Sequence, residues 1–234
     1  RNGATLTGSG SFRGDGGAVL DLVSGGVPTR FSGESIATVE DGGREIAVRQ
    51  LNLHGLSVTR KIAVPRSGYF ARYLEILTNP TSQPITVDVR LTSNLHHTLL
   101  LNTSSGNGSI ELVDAETADR WLVVDDGADG ENGTPATAFV FDGPGAADRV
   151  GAATLSAGSP RDLRLEWQNV TVPPNGTVIF MHFIAQQTSR SAANAAAPRL
   201  MGLGQEALEG LSLEEIGAVR NFAVPADGQS TLAP

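Results

Sequence analysis

The chain has 234 residues, with 17 lysines and arginines against 25 aspartates and glutamates, and no cysteine. A net charge of −8 without clustered basic residues excludes a face that binds nucleic-acid phosphates, because such a face displaces counterions with grouped Lys and Arg. The missing thiols exclude disulfide frameworks, thiolate zinc sites and cysteine nucleophiles, while the length is enough for one large sandwich to bury its core unaided.

Ala4 to Phe12, Ala18 to Val23, Arg30 to Val39 and Glu45 to Leu53 read as short strands. Ser24-Gly25-Gly26 and Glu40-Asp41-Gly42-Gly43 are hairpin signals, since glycine accepts the positive φ of primed turns. After Ile46 and Val48 the apolar phase moves to Leu51 and Leu53, then returns to Leu56 and Val58, which predicts a bulge near Gly55. The stretch Val58 to Leu95 reads as three strands joined by Arg66-Ser67-Gly68 and by Asn79 to Pro84. In the last of them Ile85, Val87, Val89 and Leu91 alternate with Thr86, Asp88, Arg90 and Thr92, the two-residue period of a strand with one wet face.

Farther along, Ile110 to Val113, Arg120 to Val124, Ala136 to Phe141 and Ala152 to Ser156 are shorter strand candidates. Leu163, Leu165 and Trp167 alternate before the phase shifts to Val170 and Val172, and Pro173-Pro174-Asn175-Gly176 is a turn. The segment from Ile62 to Leu77 is loosely echoed by that from Val170 to Phe183, so both read as hairpins. Val178 to Ala185 is apolar on both faces except at His182, as expected of a strand between two layers. From Ser189 the composition turns alanine-rich and helix-prone, with Pro198 a start, kink or end. Ser212 and Glu215 are spaced as a capping box with Leu211 and Ile216 as its hydrophobic staple, predicting a helix from Leu213 to about Asn221.

The pattern V-T-R-K-I-x-V-P, then Y-F-A-R-Y-L-E-I-L-T-N-P, then P-I-T-V-D-V, with V-T-V-P-P-N-G-T-V-I-F later, resembles β modules of large bacterial secreted proteins. It is also similar to the galactose-mutarotase-like super-sandwich domains that accompany glycan-processing enzymes. The resemblance spans Val58 to Ala185 and implies a long β-sandwich followed by linker helices, an order that Ser189 to Asn221 fits. No helical-barrel catalytic domain follows, so no glycosidase residue is carried over.

Candidate chemistry is sparse. Asp125, Asp126, Asp129 and Glu131 gather in a glycine-rich loop whose oxygens suit Ca²⁺, though the spacing is not that of an EF-hand, and a solvated acidic hairpin loop is the other reading. Trp121, Trp167, Tyr69 and Tyr73 offer an aromatic platform for a sugar ring, or simply core packing. His54, His96 or His97, and His182 could join in a metal site only by tertiary convergence. Glu75 and Glu166 are the carboxylates in strand-like segments that an acid/base pair would use. Arg13-Gly14-Asp15 is a chance-length tripeptide, the Asn-x-Ser/Thr sequences read as turns in a bacterial chain, and neither a G-x-S-x-G elbow nor a P-loop is present.

These readings combine into an all-β protein. A large antiparallel β-sandwich covers residues 1–188, a short helical appendage packs on it over 189–224, and 225–234 form a linker. The chain opens on Arg1 and reads as a piece of a longer protein. The function read is a non-catalytic structural, adhesive or binding module of an extracellular or cell-surface bacterial protein. Its partners would be neighbouring domains or other subunits, with no nucleic acid and no membrane span. The alternative is a carbohydrate-active domain, either a sugar-binding accessory unit or a divergent mutarotase-like enzyme.

Overall fold

The computed structural model describes residues 11–13, 16–34, 37–96, 99–106, 108–114, 116–126, 134–156 and 161–232. Among the described residues thirteen strands form two sheets that pack face to face. They are β1 (Val19–Ser24), β2 (Val27–Arg30), β3 (Ala37–Glu40), β4 (Glu45–Leu53), β5 (Leu56–Ala63), β6 (Ala71–Thr78) and β7 (Ile85–Leu95), followed by β8 (Leu99–Thr103), β9 (Trp121–Asp125), β10 (Ala136–Val140), β11 (Val150–Leu155), β12 (Arg161–Val172) and β13 (Thr177–Gln187). The smaller sheet has five strands in the order β11-β12-β7-β1-β2, and the larger has eight in the order β3-β4-β5-β6-β13-β10-β9-β8. Three helices follow, α1 (Arg190–Met201), α2 (Gln205–Leu208) and α3 (Leu213–Ala218). The expected all-β sandwich with a short C-terminal helical part is the observed architecture.

Local chemistry accounts for the turns. Gly25 and Gly26 take φ of 57° and 79° between β1 and β2, the primed-turn geometry that glycine permits without strain. The phase change in β4 is a bulge, with the register shifting between Gln50 and Leu53 and with Asn52 and His54 at positive φ beside Gly55. A second bulge separates Trp167 from Val170 in β12, where Asn169 has φ of 56°.

Four readings are corrected. Arg30 to Val39 is not one strand: β2 ends at Arg30 in the smaller sheet, and β3 starts at Ala37 in the larger. Ile110 to Val113 forms no strand, and β8 at Leu99–Thr103 takes the edge beside β9 instead. The echo of 62–77 at 170–183 is not a second hairpin, because β12 and β13 lie in different sheets and the Pro173–Gly176 turn carries the chain across. The helix after Ser212 stops at Ala218, since Val219 turns to extended backbone (φ −65°, ψ 131°) and enters the sheet.

Alternation along β13 divides the core. Val178, Phe180 and Ile184 face the smaller sheet with Leu20, Val89 and Trp167, while Ile179, Met181, Phe183 and Ala185 face the helices. There α1 lies on β9, β10 and β13 through Ala193, Ala197 and Leu200 against Ala136 and Ala138, small side chains that let the helix approach closely. Two of the crossings between sheets, at 79–84 and 173–176, lie side by side. Buried Asn79 joins them, donating to Gln83 O at 2.7 Å and Val172 O at 3.1 Å.

Because β10 is short, part of β13 lacks a strand neighbour on that side, and the segment after α3 takes the place. Val219 bridges Ile179 in parallel, and Arg220 N donates to Ile179 O at 2.9 Å. The fully buried Asn221 carboxamide then behaves as a peptide group. It accepts from Met181 N at 2.9 Å and donates to Met181 O and Phe141 O at 2.7 and 2.6 Å. Phe222 closes over Gly143, where an added Cβ would sit 2.4 Å from its ring.

Asn221→Ala leaves three backbone groups unpaired in the interior. At about 1–3 kcal/mol for each buried unsatisfied group, it is expected to cost at least about 2 kcal/mol in urea unfolding and to speed exchange of the Met181 amide. Ser212→Ala, which breaks only the observed capping box, is expected to cost about 0.5–2 kcal/mol. Equal or smaller loss from the Asn221 change would refute the strand-completing role of the tail.

Candidate functional site

Three strands of the larger sheet place ionisable side chains on its inner face. Arg60, Glu75 and His182 stand on β5, β6 and β13, and Arg60 pairs directly across from Glu75. All are buried, at 0%, 0% and 3% relative exposure. The Arg60 guanidinium donates through Nε and Nη2 to the two oxygens of Glu75 at 3.0 and 2.5 Å, and through Nη1 to Ala18 O, just before β1 of the facing sheet, at 2.6 Å. His182 Nε2 lies 2.9 Å from Glu75 Oε1, with its ring stacked on Tyr73 at 4.6 Å. Burial opposes the Glu75 charge, yet Arg60 and the hydrogen bonds hold its carboxyl below the usual carboxylate range. Burial likewise dominates at His182 and lowers its pKa, which keeps the imidazole neutral. The adjoining cavity, lined by His182, Ser93 and apolar side chains, measures about 10 Å³, close to the space of one water molecule.

A second buried carboxyl lies in the same core. Asp142 accepts from Val150 N at 2.7 Å and from Trp167 Nε1 at 2.9 Å. Burial pushes its pKa up to about 7 against these bonds and the nearby Arg149 charge. On the outer face, Lys61 Nζ gathers Glu40, Glu215 and Glu45 at 2.6, 2.8 and 3.3 Å. Arg72 NH2 meets Glu45 at 3.1 Å, while its NH1 donates to the carbonyls of Ala207 and Glu209. The helical tail is thus clipped to β4, β5 and β6 by charge as well as by apolar contact. Burial opposes the Lys61 charge, but the bonds to Glu215 and Glu40 outweigh it and raise its pKa.

The residues singled out from sequence are dispersed. Trp167 (0%) packs on Phe180 between the sheets, Tyr73 (0%) on His182, and Trp121 (7%) under the helices, so only Tyr69 at 84% exposure is on the surface. The four form no surface platform, because rings of this size gain most from burial when their neighbours are apolar. Asp125 points inward and accepts from Arg190 Nε at 2.7 Å, and Asp126 accepts from Thr134 N and Oγ1. Asp129 and Glu131 lie outside the described residues, as do His97, Gly14 and Asp15. His54 bonds Leu22 O and His96 bonds Arg13, both away from His182. Among the described residues no cluster of three metal-ligating side chains occurs. Glu166 is held by Arg90 on the outer face of the smaller sheet, so it does not face Glu75.

A ligand-sized concavity was missed from sequence. It measures about 540 Å³ and lies where the connection from β8 to β9 meets the end of α1, lined by Ser104, Ser105, Glu111, Glu116, Arg120 and Met201, with Thr117 and Ala118. Buried Asp119 organises its wall, its Oδ1 accepting from Ser104 Oγ and Ser105 N and its Oδ2 from Glu111 N at 2.8 Å. The polar run Thr103-Ser104-Ser105 and Asp119 were the available signal, but a turn-rich loop carries the same composition.

No protein-family model matches the chain, and no curated protein does. Solved structures with a similar course include the Slr1438 protein of Synechocystis sp. PCC 6803, with 11% identity, a TM-score of 0.43, and coverage of 72% of this chain and 73% of that one. Another is a candidate aldose 1-epimerase of Klebsiella pneumoniae, with 9% identity and a TM-score of 0.39, covering 66% of this chain and about half, 54%, of the epimerase. At these levels of identity and TM-score neither likeness says anything of this chain's activity. Among the described residues no helix is long and apolar enough to cross a membrane.

Asp142 sets a pH dependence. Its carboxyl ionises near 3.9 in the unfolded chain and near 7 in the folded one, so unfolding between these values releases a proton. The stabilising contribution is complete below about pH 4 and is lost as pH rises through 7, at up to ~1.4 kcal/mol per pH unit. Urea unfolding of the wild type and Asp142→Asn from pH 4.5 to 8 should show the difference in stability changing with this slope. A constant difference would mean that the folded protein does not hold the proton.

Proposed function

We propose that the chain is a non-catalytic module of an extracellular bacterial protein, a folded unit that spaces or binds and does not convert a substrate. The reading is carried by the closure of the Arg60–Glu75–His182 group. The carboxylate and imidazole that lie together in the core, Glu75 and His182, are bonded to each other and, through Glu75, to a buried guanidinium, beside a space of about one water molecule. A general acid or base needs hydrogen-bond reach to a substrate proton, and these groups are buried with their polar atoms bonded to one another and to Ala18 O. Neighbouring domains of a longer chain are the partners this reading calls for. A second reading, a carbohydrate-binding accessory unit, is favoured by the polar cavity beside Arg120.

The test is incubation of the protein with neutral aldoses and their aryl glycosides, followed by proton NMR of the sugars. No conversion above the buffer rate is expected. His182→Gln and Glu75→Gln are expected to act on stability alone, and Glu75→Gln should cost about 3–5 kcal/mol because it leaves the Arg60 charge buried and unpaired. Turnover by the wild type that disappears in a folded His182→Gln variant would overturn the reading.

A further inference from the structure

We infer that the cavity between the β8–β9 connection and the end of α1 is a binding site for a neutral, hydroxyl-rich ligand of mono- or disaccharide size. The inference deepens the binding side of the proposed function and rests on it only in holding that the ligand is bound unchanged. At about 540 Å³ the cavity falls within the range of roughly 300–1,000 Å³ typical of small-molecule clefts.

Its lining selects the ligand by charge. Glu111 and Glu116 face an entering anion with two carboxylates. Arg120 stands against a lone cation, and the two carboxylates outnumber it before an anion. A neutral polyol meets neither objection. Its hydroxyls donate to the two carboxylates and accept from the hydroxyls of Ser105 and Thr117, since each hydroxyl is both donor and acceptor, while the Ser104 hydroxyl is spent on Asp119. Met201 and Ala118 supply a small apolar surface against which C–H groups of a ring can lie.

The wall is set before any ligand arrives. Asp119, 1% exposed, fixes Ser105 N at 2.7 Å and Glu111 N at 2.8 Å, and Ser104 Oγ accepts from Arg120 N at 2.9 Å, tying together four positions of the wall. Such preorganisation lowers the ordering cost of binding.

The test is an amide NMR titration of the whole chain with D-glucose, D-galactose and N-acetylglucosamine, and in parallel with spermidine, citrate and glycine. At least one sugar should shift the Ser104, Ser105, Glu111 and Arg120 amides with saturation at millimolar concentration. Glu111→Ala/Glu116→Ala, both exposed positions, should weaken this roughly tenfold or more with the melting temperature held. No saturable shift with any of the sugars, shifts centred elsewhere, or stronger binding of spermidine, citrate or glycine would each overturn the inference. The sugar's own signals in the same tube separate the two claims: binding with conversion would refute the non-catalytic reading and leave the site standing.

Discussion

The larger sheet has to be covered on both faces, and the rest of the molecule follows from that requirement. β13 is apolar on both sides, so its backbone and side chains can lie only between two layers. One layer is the smaller sheet, whose outer face is wet: the row Arg30–Asp21–Arg90–Glu166 crosses four of its strands with alternating charge. The other layer is the alanine-rich helix, which covers β9, β10 and β13. Neither layer reaches the β3 edge. The cross-strand row Val39–Ile46–Ile62–Tyr73–His182 accordingly runs from 67% and 45% exposure at its outer end to 0% and 3% at its inner end.

Where apolar cover ends, polar side chains complete the structure. On the outer face, Lys61 and Arg72 collect the carboxylates of β4 and α3 and the last carbonyls of α2, beyond the reach of α1. Beside β13, the Asn221 carboxamide supplies the pairing that β10 is too short to give. Inside, Arg60 and Glu75 are cross-strand partners. A slip of one residue between β5 and β6 would turn one of them to the opposite face and leave the other charged and alone, so the pair opposes every neighbouring register. Burying an ion pair is weak support for stability, but it specifies alignment strongly.

Much of the sandwich was legible because its strands carry local periodicity. β4 and β7 could be read from alternation and from their turn residues, and the capping box of α3 from four residues of sequence. The unread parts depend on partners distant in the chain. β8 has no alternation of its own and is a strand because β9 lies beside it. The end of α3 is set by the gap beside Met181, forty residues upstream in sequence. Sheet membership was likewise hidden: a proline turn at 173–176 looks the same whether the chain folds back into a hairpin or crosses to the other layer.

The candidate chemistry was less legible for a related reason. Residue types suited to catalysis or sugar stacking are equally suited to a core once a partner is present, and partners are invisible in one sequence. Glu75 is committed to Arg60, Trp167 to Asp142 and Phe180, and Asp125 to Arg190. What remains exposed is the ordinary polar content of a loop, and its meaning comes from shape. Asp119 folds the β8–β9 connection so that hydroxyls and carboxylates far weaker as sequence signals than two tryptophans border a ligand-sized space. In a sandwich with both faces of its main sheet covered, the interior is filled by the layers themselves, and open space is left to the loops that join the strands.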